Sequence, residues 1–421
     1  MDYTALSKDR LEAILNQERE EYRKIVDSKF NVDIARGKPC AKQLDLAMDM
    51  LQLLGPDSEF PKAYRNYGML DGIPEMRSLF AQMLGVQPEN VIIGGSSSLN
   101  LMYDTVQRAM QFGILGSTPW NKLEQVTFLC PVPGYDRHFT LTEHFGIRMI
   151  NIPMDEHGPN MDLVEQLVAS DDSIKGIWCV PKYSNPNGVT YSDEVVARLA
   201  RMQTKAADFR IFWDNAYCVH ELTDTPDVLA NIMDLATQAG NADRIYMFTS
   251  TSKITFAGSG VSCIAASANN VKDILSHMTY QTISYNKMWQ YMHYLYLRDM
   301  DHVREIMRKQ MEIIAPKFQT ILHALEEAFG TDSGIAKWSN PKGGYFISLD
   351  VYPGCAKRVG KLCKEAGLTL TTAGATYPYG VDDADSNLRI APTFTSDTDI
   401  QIATRILVCC VKIACIEKLL G

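Results

Sequence analysis

The strongest constraint on the fold is one repeated pattern: short apolar runs, each closing in a polar or Pro/Gly-rich cluster, separated by stretches of helical periodicity. Val91 to Ile93 runs into Gly94-Gly95-Ser96-Ser97-Ser98, Val126 to Cys130 into Pro131-Val132-Pro133-Gly134-Tyr135, and Gly176 to Val180 into a turn containing Asn185-Pro186-Asn187-Gly188. Phe209 to Trp213 ends in Asp214-Asn215-Ala216-Tyr217, Arg244 to Phe248 in Thr249-Ser250-Thr251-Ser252-Lys253, and Val261 to Ala265 adds a further strand. Buried strands alternating with helices predict an α/β architecture, a mostly parallel sheet with helices on both faces. Ligands of such sheets bind beyond the carboxyl ends of the strands, and every one of these clusters falls at that end.

With 421 residues, 46% of them hydrophobic, the chain can bury a large core, and its length predicts two subdomains. The net charge is -9 with no basic block, so duplex nucleic acid is not an expected partner. Met1 to Lys29 is rich in charged residues and does not read as a secretion signal, and no uninterrupted apolar run approaches membrane-spanning length. Ten cysteines sit mostly inside apolar runs (Cys130, Cys179, Cys263, Cys409-Cys410) without metal-ligand spacing, which predicts reduced core thiols in a cytoplasmic protein. The eight histidines, His138 and His144 among them, show no ligand spacing, and no metal is expected.

The chemistry gathers around Lys253. A lysine directly after a core strand either reaches out to water or is held in a dry site, where its neutral amine can attack a carbonyl. Asp214 ends a neighbouring strand and is either a buried acid with a cationic partner or a helix N-cap. Gly95, Ser96, Ser97 and Ser98 before a helix make an anion seat from backbone N–H groups and hydroxyls, or serve as ordinary caps. Asn185 sits in a Pro/Gly turn, and Tyr217 could act beside it or simply be a buried tyrosine with a local partner. A lysine for an aldehyde, an acid for a ring nitrogen, a donor to a phenolic oxygen and a phosphate cradle together fit pyridoxal 5'-phosphate.

In this order the motifs resemble the fold type I pyridoxal-phosphate aminotransferases (class I/II), over essentially the whole chain from about Ile34. Ser250-x-Ser252-Lys253 looks like the cofactor-lysine motif, Asp214-x-x-Tyr217 like the ring-nitrogen acid and phenolate tyrosine, and Asn185-Pro186-Asn187-Gly188 like the Asn-Pro-(Thr)-Gly turn. Gly95 to Ser98 match the phosphate loop, Gly37 the mobile N-terminal strand over the substrate, and Asn387-Leu388-Arg389-Ile390 the strand whose arginine grips the substrate α-carboxylate. Tyr67, before Leu70-Asp71-Gly72, resembles the tyrosine that reaches the phosphate of the neighbouring subunit, which implies a homodimer with composite sites. The family arginine eight residues after the lysine is here Val261, so the phosphate is expected to lean on Ser97, Ser98, Ser250, Ser252 and Tyr67. Tyr135, preferred over Val132, supplies a ring to stack on the cofactor.

The resemblance implies catalytic roles for Lys253, Asp214 and Tyr217. It also implies a large cofactor-binding domain over residues 56–300, with a smaller α+β domain from residues 1–55 and 301–421, and a seven-stranded type of sheet. Ala35-Arg36-Gly37-Lys38-Pro39, Pro131-Val132-Pro133-Gly134-Tyr135-Asp136-Arg137-His138 and Phe212-Trp213-Asp214-Asn215-Ala216-Tyr217 are similar to a bacterial subgroup of aspartate aminotransferases related to MocR-type aminotransferase domains. That implies L-aspartate or L-glutamate with 2-oxoglutarate or oxaloacetate. The reader of the side-chain carboxylate stays open among Arg36, Lys38 and Lys287. Aromatic, alanine or aminoadipate transamination and an amino-acid lyase remain alternatives, as does a non-catalytic cofactor-binding sensor. The absence of a basic winged-helix stretch before Ile34 weighs against the sensor.

Overall fold

Each expected apolar run forms a strand of one large sheet in the computed structural model, which describes residues 1–55 and 58–421. After a two-residue strand β1 (Val32–Asp33), the sheet uses β2 (Val91–Ile93), β3 (Thr127–Val132), β4 (Arg148–Asp155), β5 (Gly158–Pro159), β6 (Ile174–Cys179), β7 (Arg210–Asp214), β8 (Ile245–Ser250) and β9 (Ser262–Ala266). Their order is β2-β9-β8-β7-β6-β3-β4-β5. Strands β8, β7, β6, β3 and β4 are parallel, β9 is antiparallel to both neighbours, and β5 only folds back on β4. Strand β4 was not legible as an apolar run. It alternates between buried and solvent-facing residues and contains Pro153, as suits a position near the sheet edge.

Successive side chains of each strand pack on opposite faces. Ile93, Leu129, Ile177, Ile211 and Met247 belong to one buried layer, and Ile92, Phe128, Trp178, Phe212 and Tyr246 to the other. With both faces covered, the strands have no polar side, hence the continuous apolar runs. Each large side chain removed from water contributes roughly 1.5–3 kcal/mol. Helix starts follow the sequence closely: Ser97 accepts from the Leu99 N–H, Ser192 caps Asp193–Arg201, and Ser396 caps Asp397–Leu420.

A second core is assembled from both ends of the chain. Here β10 (Ala336–Trp338), β11 (Ile347–Val351), β12 (Leu368–Thr369) and β13 (Asn387–Ile390) form an antiparallel sheet β10-β11-β13 and a parallel β1-β12 pair. Helices Lys8–Asp27, Ala356–Glu365 and Asp397–Leu420 cover them. Helix Met300–Phe329 serves both bodies: Val303, Ile306 and Met307 pack with the large sheet, Phe318, Ile321 and Leu325 with the second core. The apolar stretch Ile406 to Val411 is buried in that second core, and no helix among the described residues is long and apolar enough to cross a membrane. All ten cysteines are free thiols.

Between the two bodies, Val180, Tyr183, Tyr217, Tyr345, Phe346 and Ala391 form a small cluster of their own. It packs Val180 and Tyr217, just beyond the ends of β6 and β7, with Ala391, just beyond β13. Glycine closes this junction: a Cβ on Gly188 (φ +73°) would stand 2.5 Å from Pro341 Cβ.

Candidate active site

A cavity of about 710 Å³ opens at this edge. Its wall takes Ser97 and Ser98 from the end of β2, Tyr135 from β3, Asn185 from β6, Asp214 and Tyr217 from β7, and Ser250, Ser252 and Lys253 from β8. The second body contributes Gly37 and Arg389. A larger open groove of about 950 Å³ runs between the N- and C-terminal helices past Glu18, His323 and Arg405. It holds none of these groups, and no chemistry converges on it.

Lys253 differs from the other buried lysines. Lys175 is paired with Asp208, Lys182 with Glu221 and the Cys218 carbonyl, Lys287 with the Asn66 and Gly68 carbonyls, and Lys317 with the Thr393 and Thr395 carbonyls. The Lys253 amine has no hydrogen-bond partner among the described residues; it stands 5.2 Å from the Tyr217 ring centre and 5.9 Å from that of Tyr345. The residue is half-buried, but its amine lies deep among protein atoms. Burial lowers its pKa below the ordinary 10.5, while the nearby Asp214 carboxylate acts in the opposite sense. Burial and secondarily the Lys253 charge push His220 down to about 3, so His220 adds no positive charge beside the lysine.

Asp214 is buried at the last position of β7. Its Oδ2 accepts a hydrogen bond of 3.0 Å from His138 Nε2, while Oδ1 is buried without a partner. An orphaned carboxylate oxygen costs about 1–3 kcal/mol unless something donates to it. The sequence assigns His138 no role of its own: it is too isolated for a metal site, and nothing local links it to Asp214. Helix Asp136–His144 carries it to Asp214, and its ring stacks on Trp178 at 4.4 Å and 12°. Trp178 in turn donates to Thr142 (2.8 Å), whose hydroxyl donates to the His138 carbonyl (2.6 Å), so the imidazole is held from two sides.

Tyr135 meets the His138 ring edge-on at 4.9 Å, and burial pushes its phenol up to about 12, so it presents a neutral ring to the cavity. Burial likewise raises the Tyr217 phenol, whose hydroxyl has no partner among the described residues. Val132, the alternative to Tyr135, is packed in the core layer.

The hydroxyl cluster lies at the start of helix Ser98–Phe112, which has no acidic residue in its first turn. The Ser250 and Ser252 hydroxyls are 3.1 Å apart, and Ser252 donates to the Ser96 carbonyl at 2.9 Å. Gly95 and Ser96 line an adjoining hollow with Gly258 and Tyr285, not the main cavity; their backbone anchors the loop, with Gly95 O accepting from Ser262. Val261 is buried and its N–H donates to Thr251, so that position brings no cation to this end.

On the opposite wall Arg389 is 6% exposed. Its Nη1 contacts Asp136 Oδ1 at 2.7 Å and Asn185 Oδ1 at 3.3 Å, its Nε donates to Thr371 Oγ1 at 3.3 Å, and the guanidinium lies 5.0 Å from the Phe346 ring centre. Gly37 packs on that same ring, and a Cβ there would stand 2.4 Å from Phe346 Cζ. Of the three candidate side-chain readers, Arg36 and Lys38 line the cavity, with Lys38 over the Phe394 ring, while Lys287 is occupied by the loop carrying Tyr67. Tyr67 itself is 78% exposed and outside the cavity.

The donor set fits pyridoxal phosphate: a desolvated amine, an unpartnered buried carboxylate oxygen, a neutral aromatic ring and a hydroxyl-lined helix start in one cavity. Comparison with known proteins agrees. The family model described as aspartate amino-transferase matches residues 6–421. The chain belongs to the aspartate aminotransferase family. This aminotransferase is 46% identical over 430 aligned residues to a Mycolicibacterium smegmatis protein provisionally named an aminotransferase, with full coverage of both. It is 45% identical to the aspartate aminotransferase of Corynebacterium glutamicum, over 95% of this chain and 93% of that one. The crystal structure of an aspartate transaminase from Corynebacterium glutamicum superposes with a TM-score of 0.96 at 43% identity, covering 100% of this chain and 99% of the other. The protein is thus a pyridoxal-phosphate-dependent aminotransferase.

Proposed function

We propose that the enzyme moves the amino group of L-aspartate or L-glutamate to 2-oxoglutarate or oxaloacetate in a ping-pong cycle. The observation that carries this reading is the pairing, across one cavity, of the untethered Lys253 amine beside Asp214 with a buried arginine suited to a carboxylate. The names of the two Corynebacterium relatives support the substrate class.

When bound, pyridoxal phosphate supplies an aldehyde that takes up the amino group and a ring that draws electrons from the substrate α-carbon. The protein does the rest. Lys253 would hold the aldehyde, and its free amine is the group that would carry a proton to and from the α-carbon as general base and acid. Asp214, aimed by His138, would keep the ring nitrogen protonated through its free oxygen. Tyr135 would supply a face for the ring, and Asn185 and Tyr217, which line the same cavity, would hydrogen-bond its phenolic oxygen. Ser97, Ser98, Ser250, Ser252 and the helix start would hold the phosphate, together with the loop anchored by Gly95 and Ser96 and with Tyr67 from a neighbouring subunit. Arg389 grips the α-carboxylate and so fixes which α-bond stands over the ring. Gly37 brings the N-terminal segment over the substrate.

The enzyme works as a cytoplasmic homodimer in this reading. Tyr67, Tyr280, Ile283 and Met288 are exposed, and Lys287 ties the Tyr67 loop to the segment bearing the other three. Sedimentation of the active enzyme tests this, and an active monomer would contradict it. A kcat/KM survey of amino acids against 2-oxoglutarate tests the substrate: aspartate and glutamate should lead, and a preference for alanine, aromatic amino acids or aminoadipate would replace the proposal.

A further inference from the structure

The Arg389 guanidinium already has an anionic partner inside the cavity. Asp136, the first residue of helix Asp136–His144, places Oδ1 2.7 Å from Nη1, with the arginine side chain 6% and the aspartate side chain 29% exposed. Both line the cavity that holds Lys253. The arginine does not need Asp136 for its direction, since Asn185, Thr371 and the Phe346 ring hold it from three other sides. What Asp136 adds is charge. A buried guanidinium without a counter-ion is costly, and the Asp136 carboxylate removes that cost. Two carboxylates on one guanidinium repel each other, so an arriving carboxylate and Asp136 compete for it.

We propose that Asp136 is a specificity-determining positioning residue: its carboxylate takes the substrate-carboxylate seat on Arg389, and a ligand binds only by displacing it. The inference rests on Arg389 being that seat. Arg36 and Arg137 also line this cavity, but the ion pair Asp136 makes is with Arg389. Opening that pair costs the ligand part of its binding. Carboxylic ligands therefore bind at an affinity set below what Arg389 alone would give, and ligands lacking a carboxylate gain nothing from opening the pair.

The test uses the holoenzyme and succinate, a dicarboxylate with no amino group to transfer. Succinate is titrated by its effect on cofactor absorbance, and melting temperatures are recorded with and without it. Asp136→Asn should tighten succinate about tenfold, lower the melting temperature without succinate and enlarge the rise succinate produces. Asp136→Ser, which keeps a hydroxyl suited to a helix start, should behave alike. If Asp136 were only a helix-start acid, stability would fall while the succinate Kd stayed put. An unchanged or weakened Kd in both variants overturns the inference. Arg389→Ala separates the two levels. If succinate binding survives that change, the seat itself is misassigned; if binding is lost there yet unmoved in the Asp136 variants, only the competition is wrong.

Discussion

Replacing Asp214 by Asn keeps the volume and a contact for His138 but removes the negative charge under the cofactor ring. The structure concentrates the effect on one atom. Oδ2 is engaged by His138 at 3.0 Å, so Oδ1, buried and unpartnered, is the only oxygen left to meet a ring nitrogen. Loss of one preorganised electrostatic partner in a water-poor site costs about 3–4 kcal/mol in the transition state, a rate factor on the order of 10²–10³. The assay is a single half-reaction: reconstituted variant is mixed with excess L-aspartate and the cofactor absorbance is followed by stopped flow. His138→Phe, whose ring can still stack on Trp178, should fall between variant and wild type, because Asp214 keeps its charge but loses its aim. A half-reaction in Asp214→Asn within about tenfold of wild type would refute the electron-withdrawal role.

Arg389→Ala should raise KM for amino and keto acid at least about thirtyfold in steady-state assays, with the cofactor retained on gel filtration. Gly37→Ala forces a methyl against the buried Phe346 ring, which packs against Arg389, so KM should rise with little change in kcat. Unaltered kinetics would separate Gly37 from the substrate wall. Cofactor-free Lys253→Met should melt above cofactor-free wild type at pH 7. Burial holds the Lys253 pKa below its unfolded value near 10.5, so unfolding takes up a proton between the two values. Wild-type stability from this residue is therefore lost as pH falls and recovered toward pH 10.5, and calorimetry should show the gap between the two proteins closing in that direction.

The sheet was legible because strands covered on both faces leave uninterrupted apolar runs, and because each run stops at a polar cluster. That same physics hid β4, whose alternating exposure resembles a loop until its neighbour is known. Lys253 and Asp214 stood out as expensive residues at strand ends, Asn185 by its Pro/Gly turn and Arg389 through the family motif alone, and the fold does bring all four to one cavity. Contacts between helix and sheet left no local signal. His138 lies 76 positions from Asp214, and Asp136 lies 253 from Arg389. Only the packing of helix Asp136–His144 over the strand ends makes either pair. Lys287 shows the converse: a lysine in a loop reads as a possible ligand reader until its amine is found capping the carbonyls of Asn66 and Gly68.

The most direct measurement is peptide mapping of the holoenzyme after borohydride reduction, which freezes the link between cofactor and protein. The label should fall on the peptide containing Lys253 and vanish from Lys253→Ala. Label on the peptide of Lys182, or undiminished label in the variant, would mean that another amine holds the cofactor and that the site has been built around the wrong lysine.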